Sequence, residues 1–135
     1  MTVLKCLTPD MYVAGQITAA DVAAIRAAGI VAVINNRPDG EEPGQPPAAE
    51  VAAFLAESGL PVRHIPIHGM PTLDEVAAVH AACEAAGGPV LAFCRSGTRS
   101  TVAWALARLL HGGGDPEEVF AQAQAAGYDL RRYLG

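Results

Sequence analysis

The segment PVLAFCRSGTRS, residues 89–100, ends an apolar run in a thiol, and four small or polar residues separate Cys94 from Arg99. A thiol and a guanidinium at this spacing suit nucleophilic chemistry on an anion. A strand that turns into a helix at Cys94 places the sulfur at a strand's carboxyl end, where open α/β sheets bind their ligands. The amides of residues 95–99 then curl around the sulfur above the helix N-terminus and form an anion nest. A cysteine in such a field, beside an arginine, titrates one to several units below about 8.5 and supplies a nucleophile at neutral pH. Gly97 lets the backbone turn with no Cβ in the way. Arg99 can hold two oxygens of a bound oxyanion in a bidentate fork, and Ser100 can hydrogen-bond the thiolate when it leaves. Ser96 and Thr98 complete the cradle, while Arg95 either joins it or points to solvent.

The elements that must carry this loop follow from periodicity. Helix-period segments alternate with short β-branched runs, the pattern of parallel strands joined by helices. MYVAGQ reads as a strand. Thr18 and Asp21 form a capping box for the helix TAADVAAIRAAG, closed by Gly29, and IVAVINN is a buried strand. AAEVAAFLAESG is the second helix, LPVRHIPI a strand, TLDEVAAVHAACEAAGG the third helix and PVLAFC the last strand. Beyond the cysteine loop come STVAWALARLLHGGG and then DPEEVFAQAQAAG, with Asp115 as N-cap and Pro116 at the first helical position, and a short helical tail, YDLRRYLG. The expected fold is α/β, a central mostly parallel sheet of four to five strands flanked by helices. With no repeat or linker in view, residues 1–135 read as a single domain.

Residues 36–47, NRPDGEEPGQPP, hold four prolines and two glycines without periodicity and must be a loop, long for so small a domain. It follows a strand end, so Asn35, Asn36 and Arg37 should reach the rim where Cys94 sits. There Arg37 either guides an anion or pairs with an acid, and the asparagines can donate hydrogen bonds. Asp39, Glu41 and Glu42 include candidate proton donors, or are simply a solvated acidic stretch. His68 lies on the loop that follows the next strand, and Asp74 falls in the first turn of the helix after it. His64 and His68 are four apart, but Pro66 denies them a shared helix face, and no metal is expected. Cys83 reads as core packing, Cys6 as a candidate resolving thiol, and Trp104 as packing beneath the loop.

A net charge of −5 gives no basic field for a phosphate backbone, which argues against nucleic acid as a partner. No apolar run approaches a membrane span and none follows a basic N-terminus, so a cytoplasmic protein with no membrane partner is expected. Three cysteines at unrelated spacings suggest neither a disulfide framework nor a zinc knuckle.

CRSGTRS after an apolar strand resembles the active-site loop of rhodanese-like sulfurtransferases, and its strand-loop-helix context is similar to the signature of tyrosine and dual-specificity phosphatases. Over nearly the whole chain, YVAGQITAADVAAIRAAGIVAVINNRPDGEEPGQP, GPVLAFCRSGTRSTVAWALA and AAGYDL resemble the bacterial β-lactamase hydrolase-like family, the phosphatase-like DUF442 domain. The resemblance implies a dual-specificity-phosphatase-like fold, a nucleophilic cysteine at Cys94 and an anion-binding arginine at Arg99. It also matches Gln16, for which the sequence offers no physical role.

Loop length bears on the chemistry. Tyrosine phosphatases keep five residues between cysteine and arginine, a cradle for a phosphoryl group, whereas single-sulfur rhodaneses keep four, as here. A tighter curl suits a persulfide better than three phosphoryl oxygens. Sulfite leaving from thiosulfate needs no proton, whereas a phenol, of pKa about 10, does; no aspartate stands where phosphatases of this kind carry their acid, and the resemblance leaves His68 as the candidate acid near that place. The leading expectation is therefore a sulfurtransferase with a Cys94 persulfide, drawing on thiosulfate or a persulfide donor, with a sulfide-oxidising enzyme as a candidate partner. The alternatives are a phosphatase acting on phosphate esters through a phosphocysteine, and a non-catalytic anion or persulfide-binding module. Relatives of the family occur joined to a metallo-β-lactamase-like hydrolase. No cofactor is expected.

Overall fold

In a computed structural model of the chain, residues 2–134 are described. Five strands form one sheet in the order β1-β2-β5-β3-β4: β1 Lys5–Thr8, β2 Met11–Ala14, β3 Ala32–Asn35, β4 Val62–His64 and β5 Val90–Phe93. β1 runs antiparallel to β2, and every other pairing is parallel. The α/β architecture with a mostly parallel sheet is the one expected; β1 is an addition to it. LKCLT carries little of the alternation that marks a strand, and it is recruited by the hairpin through Asp10 rather than by its own propensity.

Alternation along the central strands distributes two cores. Val13, Ile34, Val90 and Ala92 face one side, packed with Val79, Val102, Ala103 and Trp104. Ala14, Val33, Leu91 and Phe93 face the other, packed with Ile17, Ile25, Val51 and Leu55. The first layer holds α3 Leu73–Ala86, α4 Thr98–Leu110 and α5 Pro116–Ala125; the second holds α1 Val22–Ala27 and α2 Ala48–Ala56. β5 lies between β2 and β3 and is buried on both faces throughout, so its four side chains read as a continuous apolar run. Burying Phe93 alone contributes about 1.5–3 kcal/mol.

Local signals set the ends. Thr72 and Glu75 close a reciprocal capping box on α3, which stops at Gly87 with φ 71°. Asp115 accepts from the Glu118 amide at the start of α5. The first helix is shorter than its sequence pattern: residues 19–21 form a single 3-10 turn before α1 begins. The strand read over residues 60–67 narrows to β4, because Pro66 has no N–H to give the ladder. Ile65 and Ile67 nevertheless donate to the carbonyls of Asn35 and Asn36, carrying the chain along the sheet's upper edge. The tail forms α6, Arg131–Leu134; Gly135 lies outside the described residues. Among the described residues no helix is long and apolar enough to cross a membrane.

Candidate active site

Parallel register brings four strand ends to one level. Ala14 and Asn35 both stand beside Phe93, and His64 stands beside Asn35. The residues that follow, Gly15–Gln16, Asn36–Arg37, Ile67–His68 and Cys94, therefore surround one point above the sheet. Cys94 is fully buried and is tied down through its amide, which donates to the Ala14 carbonyl at 3.3 Å.

The loop then wraps the sulfur. The Gly97 N–H donates to Cys94 Sγ at 3.2 Å, and Gly97, with φ 91°, is the N-cap of α4. The first intrahelical bond is Thr101 N–H to the Gly97 carbonyl at 2.9 Å. The amides of Thr98, Arg99 and Ser100 thus precede the helix ladder and leave the positive end of α4 open beneath an anion. The loop's carbonyls are drawn outward. Gln16 N–H reaches the Arg95 carbonyl at 3.4 Å, and the Tyr128 hydroxyl reaches that of Ser96 at 3.0 Å. Gly15 allows this approach: a Cβ there would lie 2.9 Å from the Arg95 carbonyl oxygen.

Arg99 is held at its far end. Its Nη1 donates to Glu41 Oε2 at 2.7 Å and to the Ile67 carbonyl at 2.8 Å, and its Nη2 to Glu41 Oε1 at 2.9 Å. Of the five N–H groups of a guanidinium, this leaves Nε–H and one Nη2–H, which lie side by side on one edge. Its pKa is raised above that of an ordinary arginine, chiefly by the Glu41 hydrogen bond and then by the negative charge of Cys94. Glu41 responds in the opposite sense. Its carboxyl is lowered from 4.5 to about 2 by the Arg99 hydrogen bond, against some desolvation, with Arg37 adding to the effect.

Arg37 is the foundation of the rim. Only 2% exposed, it gives Nε to Glu41 at 3.0 Å, Nη1 to Gln16 Oε1 at 3.0 Å and Nη2 to Glu42 at 2.8 Å. A buried guanidinium without such partners would cost several kcal/mol, so Gln16, Glu41 and Glu42 are needed together. This corrects the expectation that Arg37 binds substrate: it is the pairing alternative that the structure holds, because the guanidinium is buried and each of its three nitrogens is already engaged by Gln16, Glu41 or Glu42. The same bonding gives Gln16 the physical role that its sequence context lacked.

Other residues are also placed differently from expectation. Asn36, expected to donate to an anion, is fully buried and committed at both ends, with Nδ2 on the Ile65 carbonyl at 2.9 Å and Oδ1 accepting from Ser100 Oγ at 2.8 Å. The Ser100 hydroxyl accordingly points at Asn36 and not at the sulfur. Asn35 Oδ1 accepts from the Arg37 amide at 2.9 Å. Asp39 turns away to accept from the Ala48 amide at the start of α2. Ser96 and Thr98 hydroxyls meet each other at 3.1 Å. Arg95 is 68% exposed and 3.8 Å from Glu42, whose pKa is lowered by Arg37 first and Arg95 second.

His68 is exposed, next to the carbonyl that anchors Arg99, and His64 Nε2 meets the Arg37 carbonyl at 3.0 Å. Trp104 packs lower down α4 than expected, bordering with Met11 and Val90 a groove of about 820 Å³ at the sheet's opposite end. Tyr128, which the sequence reading passed over, takes the place beneath the loop. Cys6 is exposed on the edge strand β1. Cys83 is half-buried on α3, its pKa pushed up to about 11 by burial and then by Glu84.

Comparison with known proteins agrees with this geometry. Residues 3–111 match the profile of the β-lactamase hydrolase-like protein, phosphatase-like domain. The β-lactamase hydrolase-like protein of Agrobacterium fabrum is 35% identical over 122 residues, which are 89% of this chain but 28% of that protein. Its counterpart in Xylella fastidiosa is 36% identical over 105 residues, 77% of this chain and 24% of that one. The chain thus spans about a quarter of the length of the curated relatives it matches. Among solved structures, a protein from Neisseria meningitidis Z2491 described as a candidate phosphatase superposes with TM-score 0.85 at 34% identity, covering 96% of this chain and 92% of that one. A Cys-to-Ser variant of Pseudomonas aeruginosa TpbA in complex with pTyr gives TM-score 0.71 at 23% identity, covering 95% of this chain and 76% of that one, a likeness of fold.

Proposed function

The chain belongs to the β-lactamase hydrolase-like family, in its phosphatase-like domain, and from that premise we propose that it hydrolyses phosphate monoesters through a phosphocysteine on Cys94. The observation that carries this is the state of Arg99. Glu41 and the Ile67 carbonyl hold it end-on and leave its Nε–Nη2 edge for two oxygens of an anion beside the sulfur. Amides at the N-terminus of α4 serve the remaining oxygen. The Cys94 thiolate attacks phosphorus, the ester P–O bond breaks, and the leaving oxygen takes a proton. Water then cleaves the P–S bond, releasing inorganic phosphate and the thiolate.

Charge at the rim is balanced before substrate arrives: Arg37, Arg95 and Arg99 stand against Glu41, Glu42 and the Cys94 thiolate, so an anion meets no net repulsion there in a chain of net −5. The proton for the leaving group has one open candidate. Asp39 is turned away, and Glu41 and Glu42 are held ionised by arginines, which leaves His68. Aryl phosphates, with their better leaving groups, are the substrates to assay, and the pTyr bound to TpbA points the same way.

One observation favours a second reading. Four residues, not five, separate Cys94 from Arg99, a tight curl that suits a Cys94 persulfide formed when thiosulfate expels sulfite; a thiol or cyanide would then accept the outer sulfur. A parallel assay decides. Aryl phosphate hydrolysis that vanadate inhibits and Cys94→Ser abolishes supports the phosphatase. Thiosulfate turnover, with one sulfur added to Cys94 by mass and no phosphate ester turnover, replaces it with the transferase. Tight sulfate binding without either turnover leaves a binding module.

A further inference from the structure

We propose that Tyr128 is a positioning residue for the Cys94 thiolate, fixing from outside the loop the one peptide that donates to the sulfur. The argument rests on peptide planarity. The Ser96 carbonyl and the Gly97 N–H belong to the same trans peptide and point in opposite directions. The N–H faces inward, 3.2 Å from Cys94 Sγ, and the carbonyl faces outward, 3.0 Å from the Tyr128 hydroxyl. Rotating this peptide would replace a donor at the sulfur by a carbonyl oxygen, which repels a thiolate. The tyrosine bond opposes that rotation.

The surroundings fit the role. Tyr128 is 7% exposed, and Lys5 from β1 lies over its ring with Nζ 4.7 Å from the centroid. Its amide donates to the Ala123 carbonyl at 2.9 Å, so α5 holds the residue in place. The charged groups facing this pair are Lys5 behind the ring, Cys94 across the peptide and Arg99 beyond the sulfur. Burial first, and Cys94 second, raise the phenol's pKa, which keeps it a donor at neutral pH. A Cβ on Gly97 would collide with the hydroxyl, so a glycine at 97 and a tyrosine at 128 form one device. A loop one residue shorter than the phosphatase loop has one fewer amide to spare, and this supplies a physical reason for an external brace.

The inference rests on the Cys94-nucleophile reading of the site but not on the choice of substrate, and its test uses neither phosphate esters nor thiosulfate. Iodoacetamide alkylation of Cys94, followed by peptide mass spectrometry over pH 5–10, reports the reactive thiolate directly. In Tyr128→Phe the rate near neutrality is expected to fall about three- to tenfold, the range of a charge-assisted hydrogen bond partly lost, and to equal wild type at high pH. Lys5→Gln, which leaves the hydroxyl in place, is expected to keep the wild-type profile. A Tyr128→Phe profile that coincides with wild type, or equal changes in both variants, overturns the proposal. If wild type alkylates as expected yet turns over no aryl phosphate, the phosphatase reading fails and the brace stands.

Discussion

Glu41 meets Arg99 end-on across 58 positions of sequence, with oxygen to nitrogen distances of 2.7 and 2.9 Å, and the same carboxylate accepts from Arg37 at 3.0 Å. One carboxylate thus joins the rim loop to the helix that follows the cysteine. Folding lowers its pKa from 4.5 to about 2. Above about pH 4.5 the carboxylate is ionised in both folded and unfolded chains and its pairing stabilises the fold; between there and about pH 2 the unfolded chain takes up the proton first, and stability falls. Urea unfolding at a series of pH values is expected to show Glu41→Gln less stable than wild type by on the order of 1 kcal/mol near pH 6, solvent screening included. The difference should close as pH falls through that window. A constant difference down to pH 2 would mean that the loss is packing rather than charge.

Arg99→Lys keeps a positive charge but removes the fork. Turnover of an aryl phosphate, as kcat/KM, is expected to fall about 10- to 100-fold, the range for losing a charge-assisted hydrogen bond in the transition state. Fluoride-free assays with vanadate as a competing oxyanion should show its inhibition weakened in parallel. Unaltered vanadate inhibition would show that oxyanions bind elsewhere.

Ser100 and Asn36 form a buried pair at 2.8 Å, each at most 1% exposed. Removing either side chain orphans the other, at a cost of about 1–3 kcal/mol. Ser100→Ala and Asn36→Ala are each expected to destabilise, and the double variant by less than their sum, since the second deletion has no partner left to orphan. Additive losses in a denaturant double-mutant cycle would contradict the bond.

Gly15→Ala touches no substrate, yet its Cβ would stand 2.9 Å from the Arg95 carbonyl oxygen, a backbone atom that cannot swing aside as a side chain would. A destabilisation of about 1–3 kcal/mol is expected, together with lowered turnover as the cysteine loop shifts. A fully active, equally stable variant would show that the contact yields freely.

The sequence carried the fold through its periodicities and the cysteine loop through its strand-turn-helix signature. Gly29, Gly87, Asp115 and the Thr72 box are local signals, and a local reading finds them. What it missed is non-local. Gln16 bonded to Arg37, Asn36 bonded to Ser100 and Tyr128 beneath Ser96 join segments from 21 to 64 positions apart, and side-chain direction across a sheet's upper edge leaves no trace in composition. A signal was available for one of them: Asn-Asn-Arg directly after a buried strand cannot be exposed polar residues if the next strand pairs alongside. Taken alone, the four-residue spacing points toward sulfur, because loop length is visible in a sequence and the direction in which Glu41 and the Ile67 carbonyl hold Arg99 is not.

The rim loop over residues 36–47 contains four prolines, and its two glycines adopt φ of 75° and 79°. Proline narrows the unfolded ensemble, so the chain surrenders less freedom in ordering this segment than twelve ordinary residues would. Arg37, Glu41 and Gln45 then lock it before any substrate arrives. Ligand capture need not organise the mouth of the site, and little of an anion's affinity is spent on ordering protein. Association should accordingly be fast and close to rigid-body, with selectivity settled by shape and charge already in place.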